Sequence, residues 1–369
     1  MKIIGREVCF LQTGANNPRN GECSFLRLRD GAILMVFTEY YGEHWFDDAT
    51  ARISAVISRD EGETWSERFV LIEKDPECLN IMSPSLVRLP DGDVGICYLY
   101  KIMSGDVELC MPVFRRSSDE GKTWSDWRYC TDEEGYYCGV NDSAVVLSGD
   151  RIVWPMSSSL RNGVSHTGEV IFLCSSDGGA SWHPMSEPIA TPYSDPYGFA
   201  EPGILALPDG RLWSWFRSPY GYQYHAYSSD NGGTWSDPVP NFYFSSPDSP
   251  MRVKNVGNGI TAAVFNPISF HCCMANREAW GSPKRTPLVC AVSRNGGLSF
   301  DPAGKTFVDG GFDDFINDCY LLEDDRSEAF CYGALIGVKD GFLAAYYCSN
   351  GSKVCLNCTR IRKIRFDEL

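Results

Sequence analysis

Six side chains from distant parts of the sequence are placed by recurring turn and strand signals: Arg19, Asp47, Glu201, Arg217, Arg285 and Tyr332. Glu201 and Tyr332 each lie eight residues before an Asp-Gly pair, and Arg217 lies seven residues after Gly210. Asp47 lies 11 residues before Ser58 and Arg285 eight before Ser293, both serines opening copies of one repeated phrase. A guanidinium fork donates two parallel N–H groups, so three arginines at one mouth would clamp a carboxylate. A tyrosine beside a glutamate is a phenol with a proton acceptor, and an aspartate can serve as general acid or base. Taken singly, each residue has a duller explanation: a paired surface arginine, a packed tyrosine, a solvated aspartate. Only their shared placement gives the chemistry weight.

That placement follows from a repeat. The phrase Ser-x-Asp-x-Gly-x-Thr-Trp begins at Ser58, Ser117, Ser175 and Ser228, with a worn copy at Ser293, a period of about sixty residues. A sixth, decayed copy begins at Ser349. Its aspartate and glycine are turn residues, and its hydroxyls close local bonds, so the phrase is expected to pin loops and to take no part in catalysis. A second mark has the same period: Asp30-Gly31, Asp91-Gly92, Gly149-Asp150, Asp209-Gly210, Asn258-Gly259 and Asp340-Gly341. Such pairs between apolar runs are hairpin signals. Two hairpins per period predict four strands per unit and six units, an all-β six-bladed β-propeller of four-stranded antiparallel blades. The repeats run nearly end to end, so residues 1–369 are expected to form one domain. The alternating run at 353–366 is expected to complete a blade with the N-terminal segment.

In this topology the residue eight before each hairpin pair lies at the upper end of an inner strand. These positions are Glu22, Ser83, Asp142 (or Asn141), Glu201, Pro250 and Tyr332, six equivalent points around a central channel. Arg19 precedes the first inner strand. Trp45, Tyr137, Tyr197, Tyr220 and Tyr222 are candidate aromatic residues for the rim, where sugar faces would stack.

Composition narrows the partners. A net charge of −15 argues against nucleic acid. No apolar stretch is long enough to span a membrane, and the N-terminus lacks a signal-peptide core, so a cytoplasmic location is expected. The 16 cysteines then read as reduced thiols packed as small hydrophobes, including Cys272-Cys273 and the Cys355-x-x-Cys358 pair. The five histidines, His44, His166, His183, His225 and His271, show no ligand spacing. No metal or organic cofactor is called for.

The ordered set resembles the sialidase (neuraminidase) superfamily, whose propellers carry this Asp-box phrase. The span from Glu201 to Arg217 is similar to the family's glutamate-to-second-arginine strand pair. Arg285-Thr286-Pro287-Leu288 resembles the third arginine's segment, and Tyr332 the nucleophile's. Asp47, followed by Asp48-Ala49-Thr50-Ala51, resembles the acid/base loop, with Asp48 a one-residue alternative. Arg19 stands at the first arginine's place. The resemblance implies a retaining exo-glycoside hydrolase that releases a terminal sialic acid or related acidic sugar, with Tyr332 as nucleophile, Glu201 as its base and Asp47 as acid/base. Arg19, Arg217, Arg285, Asp48, Glu22 and Trp45 would contact the substrate. The competing readings are a non-catalytic carbohydrate-binding propeller, and a hydrolase or lyase for another ulosonic or uronic acid.

Overall fold

The computed structural model describes residues 3–194, 197–268, 285–300, 319–325, 327–351 and 356–369. His271, Cys272, Cys273 and Cys355 lie outside these residues. The described regular structure is all β apart from one 3-10 turn at Phe366–Glu368.

Four sheets have the expected four antiparallel strands. The first runs Arg19–Arg27, Ile33–Tyr40, Ala51–Ser58, Phe69–Ile72. Another runs Ala200–Ala206, Leu212–Arg217, Tyr222–Ser228, Val239–Ser245. A third runs Arg252–Gly257, Ile260–Phe265, Leu288–Ser293, Tyr320–Glu323. The fourth joins both ends of the chain: Cys331–Val338, Gly341–Cys348 and Cys358–Arg365 are completed by Arg6–Leu11, as the sequence pattern predicts.

The second and third repeats differ from expectation. They fuse into one nine-stranded sheet through an extra strand, Gly135–Cys138. It pairs parallel to Val107–Ser117 at Tyr136–Cys110 and antiparallel to Arg151–Arg161. The connection between the two repeats thereby satisfies its own backbone groups instead of lying as an open loop. Tyr137 is buried there, its hydroxyl donating to the Glu133 carbonyl, so it packs and does not line a rim.

Neighbouring sheets meet mainly through their inner strands, except that the third repeat meets the fourth through the strand after its Gly149-Asp150 hairpin. Arg19–Arg27 contacts Asn80–Arg88 on one side and Cys331–Val338 on the other. Arg252–Gly257 lies against Cys331–Val338 and Ala200–Ala206, and Ala200–Ala206 against Arg151–Arg161. The apolar core fills the spaces between sheets: Phe37, Val56, Leu343 and Ile361 cluster across the first and last. Val36, Ile53, Ile96 and Val113 do so across the first and second repeats.

The repeated phrase is scaffold, as its residue types imply. Ser58 Oγ donates to Asp60 Oδ1 at 2.8 Å and accepts from the Gly62 amide at 2.9 Å. Thr64 donates its amide to Asp60 Oδ1 at 2.9 Å and its hydroxyl to Oδ2 at 2.5 Å. Asp119, Asp177 and Asp230 repeat the pattern, and Asn295 replaces the aspartate in the worn copy. Strand register sends these turns to one end and the candidate site to the other. Arg19 pairs with Tyr40 and Tyr40 with Ala51, whereas Arg27 pairs with Ile33 and Ile33 with Ser58.

Candidate active site

A local device aims the site residues. Glu22, Ser83, Asp142, Glu201 and Tyr332 all have positive φ, between 47° and 59°. This is costly for residues with a Cβ and persists only where the surroundings enforce it. In four of the five the strand register slips at the same point: between Gly21 and Ser24, Met82 and Ser85, Ala200 and Gly203, and Cys331 and Ala334. Each of these four inner strands thus carries a bulge that turns one side chain away from the pleat. Pro250 holds the sixth equivalent position and cannot take positive φ. Asp248, two residues earlier, does so instead, at 62°.

Two of these bulges bring the phenol and the glutamate together. Tyr332 Oη donates to Glu201 Oε1 at 2.6 Å. Arg217, paired across from Ala200, donates Nη1 to Glu201 Oε2 at 2.8 Å. Arg285 sits over the Tyr332 ring, its Cζ 5.6 Å from the centroid, and donates to Cys331 Sγ at 3.1 Å. Burial, with the Glu201 charge, pushes the Tyr332 hydroxyl well above its ordinary pKa, while Arg217 and Arg285 pull it back. The phenol therefore keeps its proton at rest, and Glu201 Oε1 is placed to accept it.

A second group forms around Arg19. It donates to Tyr347 Oη from Nε at 2.8 Å, to Asp47 Oδ1 at 2.5 Å and to Glu22 Oε1 at 3.4 Å. Glu22 Oε2 accepts from Thr38 Oγ1 and from the amide and hydroxyl of Ser83. Burial raises the Glu22 pKa, offset in part by Arg19. Partial burial would raise Asp47 too, but the Arg19 charge and hydrogen bond, with Lys101 and Arg285, hold it below the usual range. Asp48 is exposed and makes no hydrogen bond or ion pair with a described residue, so Asp47 is the aspartate that joins the group. Trp45 accepts from Arg19 through its carbonyl at 3.3 Å, and its ring stacks on Phe46, centroids 4.6 Å apart.

Tyr347 bridges the two groups. Its ring meets that of Tyr332 edge-on, with centroids 5.7 Å apart, while its hydroxyl holds Arg19. Neither Tyr347 nor Asp248 is among the residues expected from the sequence. Tyr347 had a usable signal: it lies six residues after Gly341, much as Arg217 lies seven after Gly210. Asp248 pairs with Arg217 through both carboxylate oxygens, at 2.7 and 3.3 Å. Its signal was its nearness to Pro250. Asp142 is fully buried and ties its own repeat to three others, accepting from Ser24, Lys254 and the Leu335 amide. Of the proposed rim aromatics, Trp45 and Tyr197 are exposed, and Tyr220 and Tyr222 are half-buried. Among the described residues, no cluster of three His, Cys, Asp or Glu side chains could hold a metal ion.

The BNR repeat-like domain family matches residues 75–344, and the chain belongs to that family and with it to the sialidase/BNR superfamily. No curated protein sequence matches the chain. Among solved structures, a Dyadobacter fermentans protein of unknown function is similar over 98% of this chain and 99% of its own, at 16% identity and a TM-score of 0.69. The leech intramolecular trans-sialidase, solved with 2,7-anhydro-Neu5Ac, is 15% identical over 100% of this chain and 71% of its own, with a TM-score of 0.69. The Ruminococcus gnavus intramolecular trans-sialidase, solved with oseltamivir carboxylate, is 15% identical over 94% of each chain, with a TM-score of 0.68. At such identities the shared property is the fold.

Proposed function

We propose that this protein is a sialidase-type exo-glycoside hydrolase acting on a terminal sialic acid or related acidic sugar, with retention and with Tyr332 as nucleophile. The observation that carries the reading is the 2.6 Å contact from Tyr332 Oη to Glu201 Oε1, with Arg217 on the other carboxylate oxygen. A carbohydrate-binding protein would use the arginines without needing a phenol on a glutamate. In this reading the sheets and their inner-strand contacts close as a six-bladed propeller over one domain. The buried free thiols suit a reducing, cytoplasmic setting.

The chemistry follows from charge. The anomeric carbon of a sialic acid bears a carboxylate, which would repel a carboxylate nucleophile; a phenol avoids this, and tyrosine sialidases are a known exception among retaining enzymes. Tyr332 Oη forms the bond to the anomeric carbon while its proton passes to Glu201. The leaving oxygen takes a proton from Asp47. Water then attacks the glycosyl-tyrosine, giving a proton to Asp47, and the phenol recovers its own from Glu201. At rest Asp47 is tied to Arg19 as an ion pair and has no proton to give. A substrate carboxylate that takes over Arg19 frees Asp47 to become protonated, so binding itself prepares the acid.

Turnover of an activated aryl sialoside by Tyr332→Phe tests the assignment. Loss of the nucleophile and its proton relay should cut kcat by at least about 10²–10⁴-fold, with ligand affinity kept. A rate near wild type would end it.

A further inference from the structure

The three arginines of the cup are not equivalent. Arg217 has a carboxylate on each used edge: Glu201 on Nη1, and Asp248 across Nε and Nη2. Arg19 is paired with Asp47 and Glu22. Arg285 makes no ion pair among the described residues; its terminal nitrogens donate to Cys331 Sγ and to the Asp248 carbonyl at 3.1 Å. Asp248 therefore touches two of the three arginines, one through its carboxylate and one through its backbone.

Its position is built. The turn beside it is held by buried side chains: Gln223 donates to the Ser249 carbonyl at 2.7 Å, Ser249 Oγ to Asn266 at 2.9 Å, and the Ser249 amide to Ser246 Oγ at 3.2 Å. The backbone of Asp248 takes the left-handed conformation already described, and its side chain stays 34% exposed while it holds Arg217. A carboxylate lying across the Nε–Nη2 edge of a guanidinium makes the contact that an anionic ligand would make.

We infer that Asp248 is a specificity-determining residue, a resident carboxylate that competes with the substrate's anionic group for Arg217. The inference rests on the acidic-sugar reading above and refines it. Arg285 is the guanidinium that receives the incoming carboxylate first. Full engagement of Arg217 requires Asp248 to give way. The cup thus binds an acid more weakly than its three arginines would alone, and it selects ligands whose contacts elsewhere offset that competition.

The test is the affinity of wild type, Asp248→Asn and Asp248→Ala for 2,3-didehydro-2-deoxy-N-acetylneuraminic acid and for its methyl ester, by calorimetry. Removing one negative charge beside the bound carboxylate should raise the acid-to-ester affinity ratio about tenfold or more in both variants. The ratio is read within each variant, so a general loss of affinity or stability cancels. Wild type that binds the acid while both variants leave the ratio unchanged or lower overturns the role of Asp248 alone. Wild type that binds neither compound overturns the acidic-sugar reading, and this inference with it.

Discussion

Gly21 is the tightest point of the candidate site. A Cβ added there would lie 1.8 Å from Tyr347 Cε1, 2.0 Å from Cζ and 2.4 Å from Cδ1. Carbon contacts settle near 3.5–4.0 Å, so Gly21→Ala must push the ring by roughly 1.5 Å or more. The ring has nowhere easy to go: Tyr347 is 1% exposed, against Tyr332 and under Arg19. Overpacking of this kind costs about 1–3 kcal/mol. At about 2.1 cal/mol/K of unfolding entropy per residue over 369 residues, Tm should fall by roughly 1–4 °C. The functional effect is larger, because the moved phenol releases Arg19 Nε and disturbs Tyr332; a displacement of about 1 Å at reacting groups can cost 10²-fold in rate. Scanning calorimetry gives the first quantity and aryl sialoside turnover the second. Gly14→Ala is the control, since no atom lies within 4 Å of its added Cβ. If Gly21→Ala matches the Gly14→Ala control in both Tm and rate, the bridging role of Tyr347 is refuted.

Two further predictions concern pH. In the second, third and fourth Asp boxes, hydrogen bonds from Thr123, Ser181 and Thr234 hold Asp119, Asp177 and Asp230 down at about 2. Their contribution to stability is present above the unfolded value of about 3.9 and is lost as pH falls through it toward the folded values. A triple Asp→Asn variant should show a shallower loss of Tm between about pH 4 and pH 2; an unchanged acid slope would refute this. Glu22 has the opposite sign: burial raises it, so its contribution is full below about pH 4.3 and is lost as pH rises through the folded value. Glu22→Gln should flatten the dependence of Tm on pH above that point, and an identical profile would count against an ionising Glu22.

Much of the architecture was legible because it repeats. Turn chemistry is local: Ser117, Asp119, Gly121 and Thr123 bond to one another within a few residues, so the phrase carries its own structure wherever it occurs. The equivalence of Glu22, Ser83, Asp142, Glu201 and Tyr332 could be counted from the hairpins, and the shared left-handed backbone shows why the count works. The extra strand at Gly135–Cys138 could not be counted, because its partners Cys110 and Leu160 belong to different repeats. Trp45 and Tyr137 looked alike as aromatic rim candidates; packing left one exposed and buried the other.

By itself, then, the chain's order of residues determined the all-β class, the four strands of four of the sheets and the end at which Arg19, Asp47, Glu201, Arg217, Arg285 and Tyr332 emerge. These depend on turn preferences and alternation, which act over short stretches. Only the tertiary structure decided which charges touch: that Arg19 takes Asp47 and not Asp48, that Tyr347 joins the two groups, and that Asp248 already occupies Arg217 while Arg285 makes no ion pair among the described residues. Coulombic and hydrogen-bonding energies vary with ångström separations between residues far apart in the chain, and no spacing along the sequence encodes such distances.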